Sequence, residues 1–300
     1  MTADALLLAA GFGLRLRPLT LELPKALLPI YGTPLLDLHL ERLTGEARTV
    51  VVNGHHLADQ IRDHVNRHPQ HGRIRFSHEA GKIRGTGGAI VAARSHLESD
   101  PFLVVNADAI FPAPWKEAIA AHRASGALAT MILTPSLLHP NVRVEGNRVT
   151  EIRIGGLIAG GMTFTGCHVI TRSLITRLPS RGFHDIRDTY QELIGSGQLG
   201  AFVAPRSAEL LDIGTPARYL EAHRRLPPPA DVPTVAGYGY IDPTARVGTG
   251  ARIAESVVLP GAILAPGSTV LRSILGPGVQ VTGAIEDLLV TRCGTQDIAG

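Results

Sequence analysis

Three hundred residues, 44% hydrophobic and 18% charged, are enough for one sizeable core or two domains of a globular protein. A formal charge of only +3, with no basic run, excludes the electrostatic footprint of a nucleic-acid binder, and no apolar run approaches the ~20 residues of a membrane span. Cys167 and Cys293 lie far apart without metal-ligand spacing and read as free thiols; with no basic leader at the N-terminus, the expected compartment is the cytoplasm.

The first element is the apolar run Leu6-Leu7-Leu8-Ala9-Ala10, a strand over 6–10 that opens into Gly11-Phe12-Gly13-Leu14-Arg15-Leu16-Arg17-Pro18-Leu19-Thr20. Glycine lets backbone approach an anion closely, and successive N–H groups in such a turn form an anion-binding concavity. Arg15, Arg17 and Lys25 could then neutralise a polyphosphate. The turn has neither the GK[ST] of a Walker A loop nor the third glycine of a dinucleotide fingerprint. Lys25, Lys82 and Lys116 are the only lysines against 26 arginines, which singles out the lysine inside the motif.

Further strands are expected at 49–53, 74–77, 102–106 and 129–134, with helical spacing at 35–43, 58–67, 88–97 and 115–125. This alternation predicts βαβ units and an α/β fold, a Rossmann-like, mostly parallel sheet covered on both faces. Ligands of such sheets sit beyond the carboxyl ends of the strands, where residues 11–15 and Asp108 fall. Gly85-Thr86-Gly87-Gly88-Ala89 reads either as a plain helix start or as a ligand loop. Gly214-Thr215-Pro216 predicts a helix capped by Thr215 with Pro216 at its first position, leaving Asp212 for another task.

After Pro227-Pro228-Pro229-Ala230-Asp231-Val232-Pro233, a stiff linker, the pattern changes. Aliphatic residues recur at Ile241, Val247, Ile253, Val258, Leu264, Val270, Leu275 and Val281, six apart except for two steps of five. Four positions beyond each lies a second, mostly small or aliphatic series that includes Ala262 and Val279. Such a hexapeptide period is the signature of a parallel β-helix. So few coils bury little surface, so packing on a neighbour or self-association is expected.

The string GxGxRxRPxT followed by Pro24-Lys25-Ala26-Leu27-Leu28-Pro29-Ile30-Tyr31-Gly32-Thr33-Pro34 resembles the signature of the sugar-1-phosphate nucleotidyltransferases. The resemblance implies a nucleotidyltransferase catalytic domain over 1–226, the linker 227–233 and a hexapeptide-repeat, left-handed β-helix domain over 234–300. It implies transfer of a nucleotidyl group from a nucleoside triphosphate to a sugar 1-phosphate, with Mg2+ as cofactor; the small core of the repeats makes a homo-oligomer formed through the β-helix the expected assembly. Arg15 and Lys25 would act on the phosphates together with Asp108, and Asp108 and Asp212 would hold the metal. Ala9, Ala10, Gly11, Gly13, Glu79, Gly87 and Gly88 would bind the nucleotide, and Asn106, Gly166, Arg187 and Asp188 the sugar.

The GTGGA form resembles guanylyltransferases acting on mannose or manno-heptose phosphates, whereas Asn53-Gly54-His55-His56 resembles the muramic acid phosphate uridylyltransferases. The base and the sugar stay open between them. Departures from the family pattern are Ala107 before Asp108, Leu210 where the WxDxGTP segment has tryptophan, and the absence of the Glu-Lys-Pro step whose lysine binds the sugar phosphate. Two rivals come from other classes. A catalytically silent nucleotide-sugar sensor could have lost Lys25 or an aspartate, and both kinds are present. An acyltransferase built on the repeats would use a histidine base, and none follows His223.

Overall fold

The computed structural model describes residues 3–136, 138–230, 232 and 235–298, so positions 231 and 233 of the expected linker lie outside the described residues. The chain divides into two compact units, Met1–Gly11 with His39–Leu210, and Phe12–Leu38 with Leu211–Gly300.

The first unit is built on nine strands: β1 (Ala5–Leu8), β2 (Val50–Gly54), β3 (Ile74–His78), β4 (Phe102–Asn106), β5 (Ala129–Thr134), β6 (Pro140–Glu145), β7 (Arg148–Ile152), β8 (Met162–Ile170) and β9 (Leu199–Val203). They lie in the order β3-β2-β1-β4-β8-β5-β9-β7-β6, and β8 also pairs with β6. The run β3-β2-β1-β4 is parallel, as the alternation predicts. The mostly parallel expectation is corrected by the other half. β8 inserts antiparallel between β4 and β5, β9 lies parallel to β5, and the β6–β7 hairpin is antiparallel throughout. The hairpin turns at Gly146, whose φ of +60° is the left-handed conformation such a tight turn needs.

Helix α1 (Leu35–Glu46) runs across the division at residues 38 and 39, and α2 (Ala58–Arg67), α3 (Gly85–Ala93), α4 (Trp115–Ser125) and α5 (Ile186–Gly195) belong to this unit. α2 buries the stripe Ala58, Ile61 and Val65, and α4 stops at Gly126, which takes the left-handed C-terminal position with φ +64°. The apolar runs of β1, β2 and β4 are buried on both faces, so Leu6, Val51 and Val104 join Ile90, Phe102 and Tyr190 in one core.

In the second unit, residues 12–38 run through three short 3-10 turns, Leu14–Leu16, Leu19–Leu21 and Lys25–Leu27, into a tight hairpin of Pro29–Ile30 against Thr33–Pro34. The helix α6 (Pro216–Arg225) starts as the sequence predicts, with Pro216 in its first turn and Thr215 Oγ1 accepting the Arg218 N–H at 3.3 Å. α6 holds the hairpin: Tyr219 donates its hydroxyl to the Pro29 carbonyl at 2.5 Å, and the Tyr31 N–H donates to His223 Nε2 at 3.3 Å.

Residues 236–290 form stacked parallel pairs, and the antiparallel pair of Leu288–Thr291 with Gly294–Asp297 follows. Arg252 pairs with Thr269, Val257 with Ile274 and Arg246 with Ile263, each seventeen residues on. Seventeen is two six-residue steps and one of five, the spacing already present in the aliphatic series. Val258, Leu264, Val270, Leu275 and Val281 are buried in one cluster with Ala262 and Val279 of the second series. Val247 departs from the pattern at 45% exposure, its strand being the edge of a three-stranded sheet. Among the described residues, no helix is long and apolar enough to cross a membrane.

Candidate functional site

At the carboxyl end of β1 the chain becomes Ala9, Ala10 and Gly11, and a relay of buried polar groups fixes its backbone. The Ala9 N–H donates to Asn53 Oδ1 at 2.7 Å, and Asn53 Nδ2 donates to Glu79 Oε1 at 2.7 Å. The second carboxylate oxygen of Glu79 accepts the Arg84 N–H at 2.8 Å. Glu79, 1% exposed, therefore spends both oxygens inside the protein and braces the loop before α3 against the end of β1. A Cβ on Gly11 would meet no atom within 4 Å, and its backbone is not left-handed, so nothing in the fold requires glycine there.

The glycines of 85–88 are explained differently. A Cβ on Gly85 would lie 2.6 Å from the His184 carbonyl oxygen, one on Gly87 2.3 Å from the His184 ring and one on Gly88 2.9 Å from the Gly182 carbonyl oxygen. Gly85 also has φ +69°. The N–H groups of Gly87 and Gly88 donate to the His184 carbonyl at 3.0 and 3.4 Å. The two N–H groups that the sequence offers to a nucleobase thus have a partner in the chain, and a bound base would be read by other groups of the loop.

Beyond β4, Asn106 ends the strand and Asp108 sits half-buried in the following turn. Burial pushes the imidazole of His39 down to about 4, with the Arg42 charge adding to the effect and the Asp108 charge opposing it. Gly166 is packed on Asn106. It has φ +77°, and a Cβ there would fall 2.9 Å from Asn106 Cβ, so the irregularity of β8 between Phe164 and Cys167 needs glycine on two counts.

Asn106 and Arg187, both expected at the sugar, line one cavity of about 290 Å³. Met131, Ile152 and Phe164 give it apolar walls, and Gly85 and Thr86 stand at its side. Gly87, Gly88 and Asp188 are not on its wall, and Asp188 lies exposed on the first turn of α5. Arg187 is not a free cation: its Nε donates to Asp185 Oδ2 at 2.9 Å, and this pairing holds the Asp185 carboxyl below the usual carboxylate range. Asp185 also caps α5 by accepting the Arg187 N–H at 3.0 Å. The cavity therefore suits an uncharged polyol with an apolar face better than a phosphate.

Sequence reasoning missed His168 and Tyr190, which also line the cavity. Their only signal was a lone histidine in the apolar strand Cys167-His168-Val169-Ile170. Of the two cysteines, Cys167 is buried and Cys293 exposed, both as free thiols.

The second unit holds the remaining expected residues. Gly13 has φ +60°, its carbonyl accepts the Thr20 hydroxyl at 2.9 Å, and a Cβ there would meet Thr20 Cγ2 at 2.7 Å and Lys25 Cβ at 3.4 Å. The turn thereby brings Lys25 beside Gly13. A Cβ on Gly214 would lie 2.5 Å from Arg15 Nη2 and 2.7 Å from Asp212 Oδ1, so Arg15 and Asp212 converge over a glycine that leaves them room. Asp212 forms an ion pair with Arg218. The group so assembled, with cations around a carboxylate at a glycine turn, is suited to anionic oxygen.

Residues 4–141 match the family model described as Nucleotidyl transferase. The chain is 28% identical to a protein of Arabidopsis thaliana named Mannose-1-phosphate guanylyltransferase 1, over 92% of this chain and 82% of that one. It is also 28% identical to the Bifunctional protein GlmU of Methanocaldococcus jannaschii, over 74% of this chain and 54% of that one. Among solved structures, HddC from Yersinia pseudotuberculosis superposes with a TM-score of 0.63 at 24% identity, covering 74% of this chain and 98% of its own. A UDP-glucose pyrophosphorylase from Acinetobacter baumannii gives 0.63 at 16% identity, over 74% and 92% of the two chains. These two share the fold. The motif, the parallel half-sheet and the family match agree on a nucleotidyl transferase domain over residues 4–141, and the chain is a nucleotidyltransferase enzyme.

Proposed function

We propose that the protein transfers a guanylyl group from GTP to mannose 1-phosphate or a closely related manno-configured sugar 1-phosphate, releasing pyrophosphate. The observation that carries this reading is the 28% identity, over 92% of the chain, to a relative named as a mannose-1-phosphate guanylyltransferase. A phosphate oxygen of the sugar attacks the α-phosphorus, and the new P–O bond forms as the bond from the α-phosphorus to the α–β bridging oxygen breaks. Pyrophosphate leaves with the bond's electron pair, so no protein nucleophile is required. The work left to the chain is positioning and charge neutralisation.

The backbone at 9–11 and 13 receives the triphosphate, with Arg15 and Lys25 compensating the charge on its oxygens. The sugar enters the cavity lined by Asn106, and Gly166 sets the shape of that wall by packing on Asn106. Asp108 and Asp212 are each proposed as a magnesium ligand on the resemblance. Both are hard oxygen donors, and one or two carboxylates plus substrate phosphates satisfy that ion. Bound there, it would neutralise phosphate oxygens. Residues 236–298 read as a left-handed β-helix, supported by the seventeen-residue parallel register. Self-association through this small core is part of the proposal, and light scattering at micromolar concentration tests it, a monomer counting against it.

The test of the activity is a matrix of five nucleoside triphosphates against a panel of sugar 1-phosphates, read by pyrophosphate release with magnesium present and with it chelated. GTP with mannose 1-phosphate is expected to be the fastest pair and to need magnesium. A preference for UTP with an amino sugar or muramic acid phosphate would replace this reading by the uridylyltransferase one. No turnover in any pair would leave the silent sensor.

A further inference from the structure

Among the described residues, the cavity lined by Asn106 has one side chain with a buried polar atom left unsatisfied. His168 is 1% exposed on β8 and lines the cavity wall. Its Nδ1 is bonded to the Tyr190 hydroxyl, whereas its Nε2 has no hydrogen-bond partner among the described residues. The ring is held edge-on by two aromatics, with centroid separations of 5.1 Å to Phe164 and 5.8 Å to Tyr190. Such a ring cannot turn to find another partner without breaking the Tyr190 bond.

Other buried histidines of the chain show what a purely architectural role looks like. His122 has both ring nitrogens bonded, to Thr130 at 2.8 Å and Thr171 at 2.9 Å. His223 is likewise satisfied, by the Tyr31 N–H at 3.3 Å and the Tyr219 carbonyl at 3.0 Å. His39 shares the open Nε2 but has no place on this cavity. Among the described residues, only His168 combines a fixed ring, an unpaired ring nitrogen and a place on the cavity wall.

Burial pushes the His168 imidazole down to about 3, so the ring is neutral throughout the working range. A Tyr190 hydroxyl that donates to Nδ1 leaves the ring proton on Nε2, making the open nitrogen a donor. The complementary group is an uncharged acceptor oxygen. Asn106, Asn141 and Asp185 also line the cavity, yet no described residue accepts from Nε2, which leaves the acceptor to what fills the cavity.

We infer that His168, oriented by Tyr190, donates from Nε2 to one hydroxyl oxygen of the sugar and is a specificity-determining residue of the enzyme. This rests on the sugar 1-phosphate reading given above. A site built around one buried donor discriminates against a substrate that lacks the matching oxygen, because the donor is then left unpaired. His168 is remote in role from the phosphates, so it acts on sugar affinity and not on the transfer step.

The experiment measures pyrophosphate release from GTP with mannose 1-phosphate and its 2-, 3-, 4- and 6-deoxy analogues, using the wild type, His168→Phe and Tyr190→Phe. The wild type is expected to disfavour one of these analogues by about tenfold or more in kcat/KM. His168→Phe raises KM for mannose 1-phosphate by about tenfold at unchanged kcat, and accepts that one analogue as well as the parent. Tyr190→Phe, which keeps Nε2 but releases the ring, reduces the same discrimination about threefold and carries the test if His168→Phe does not fold. Identical discrimination in wild type and variants, or an equal loss on all five sugars, overturns the inference while leaving the activity standing. No turnover of mannose 1-phosphate by the wild type overturns the substrate reading, and this assignment with it.

Discussion

Two glycine-rich turns look alike in the sequence and differ in what their glycines are for. In 85–88 the fold itself demands them, since the segment 182–184 lies so close that any Cβ would strike its backbone or the His184 ring. Gly11 carries no such demand, with open space around the position and no left-handed φ. A glycine that the protein does not need for its own packing is the better sign of a surface kept bare for a ligand. The comparison moves the weight of the nucleotide assignment from the second turn to the first, where Gly13, Arg15 and Lys25 follow.

The largest expected effect is at the cation of that first turn. Lys25→Ala should lower turnover by at least ~10²-fold, the order seen when one preorganised charge stabiliser is removed, with an unchanged melting curve. Asp108→Ala should do the same. Near-normal pyrophosphate release in both would end the claim that this turn handles phosphate.

Next in size is a stability effect at the second turn. Gly85→Ala combines a left-handed backbone with a Cβ 2.6 Å from a carbonyl oxygen, and should cost roughly 2–4 kcal/mol, a melting temperature lower by roughly 5–10 °C. The opposite signature is expected of Gly11→Ala. Its stability should stay within about 0.5 kcal/mol of wild type, while KM for the nucleoside triphosphate rises about tenfold. If Gly11→Ala melts early and Gly85→Ala does not, the distinction between the two turns fails.

What was legible in the sequence was local. α2 and α4 have the bounds that their apolar spacing predicts, and the Thr215 cap with Pro216 is where capping chemistry puts it. α3 begins at Gly85, three residues before the expected start at 88, because Gly-Thr-Gly reads as loop and only tertiary packing makes it helical. The β6–β7 hairpin and β8 were not read at all. What sequence could not disclose was of long range: that the His184 carbonyl would take the N–H of Gly87, or that Tyr190 would pin His168. Neither partner leaves a periodic trace in the chain. The seventeen-residue register of the C-terminal coils, by contrast, was already present as six, six and five.

The smallest effect is the one that tests whether the two turns are mechanically joined. Glu79 reaches both: through Asn53 it holds the Ala9 N–H at the head of the first turn, and directly it holds the Arg84 N–H at the head of the second. Glu79→Gln keeps the shape but sets an amide N–H2 against one of two donors, so one bond of the relay is lost, at about 1 kcal/mol. If the relay transmits position, the variant should also raise KM for the triphosphate two- to threefold, because the backbone entering Gly11 is no longer fixed from below. A loss of stability with no change in KM would show that Glu79 supports the second turn alone, and that the first is positioned by the strand that feeds it.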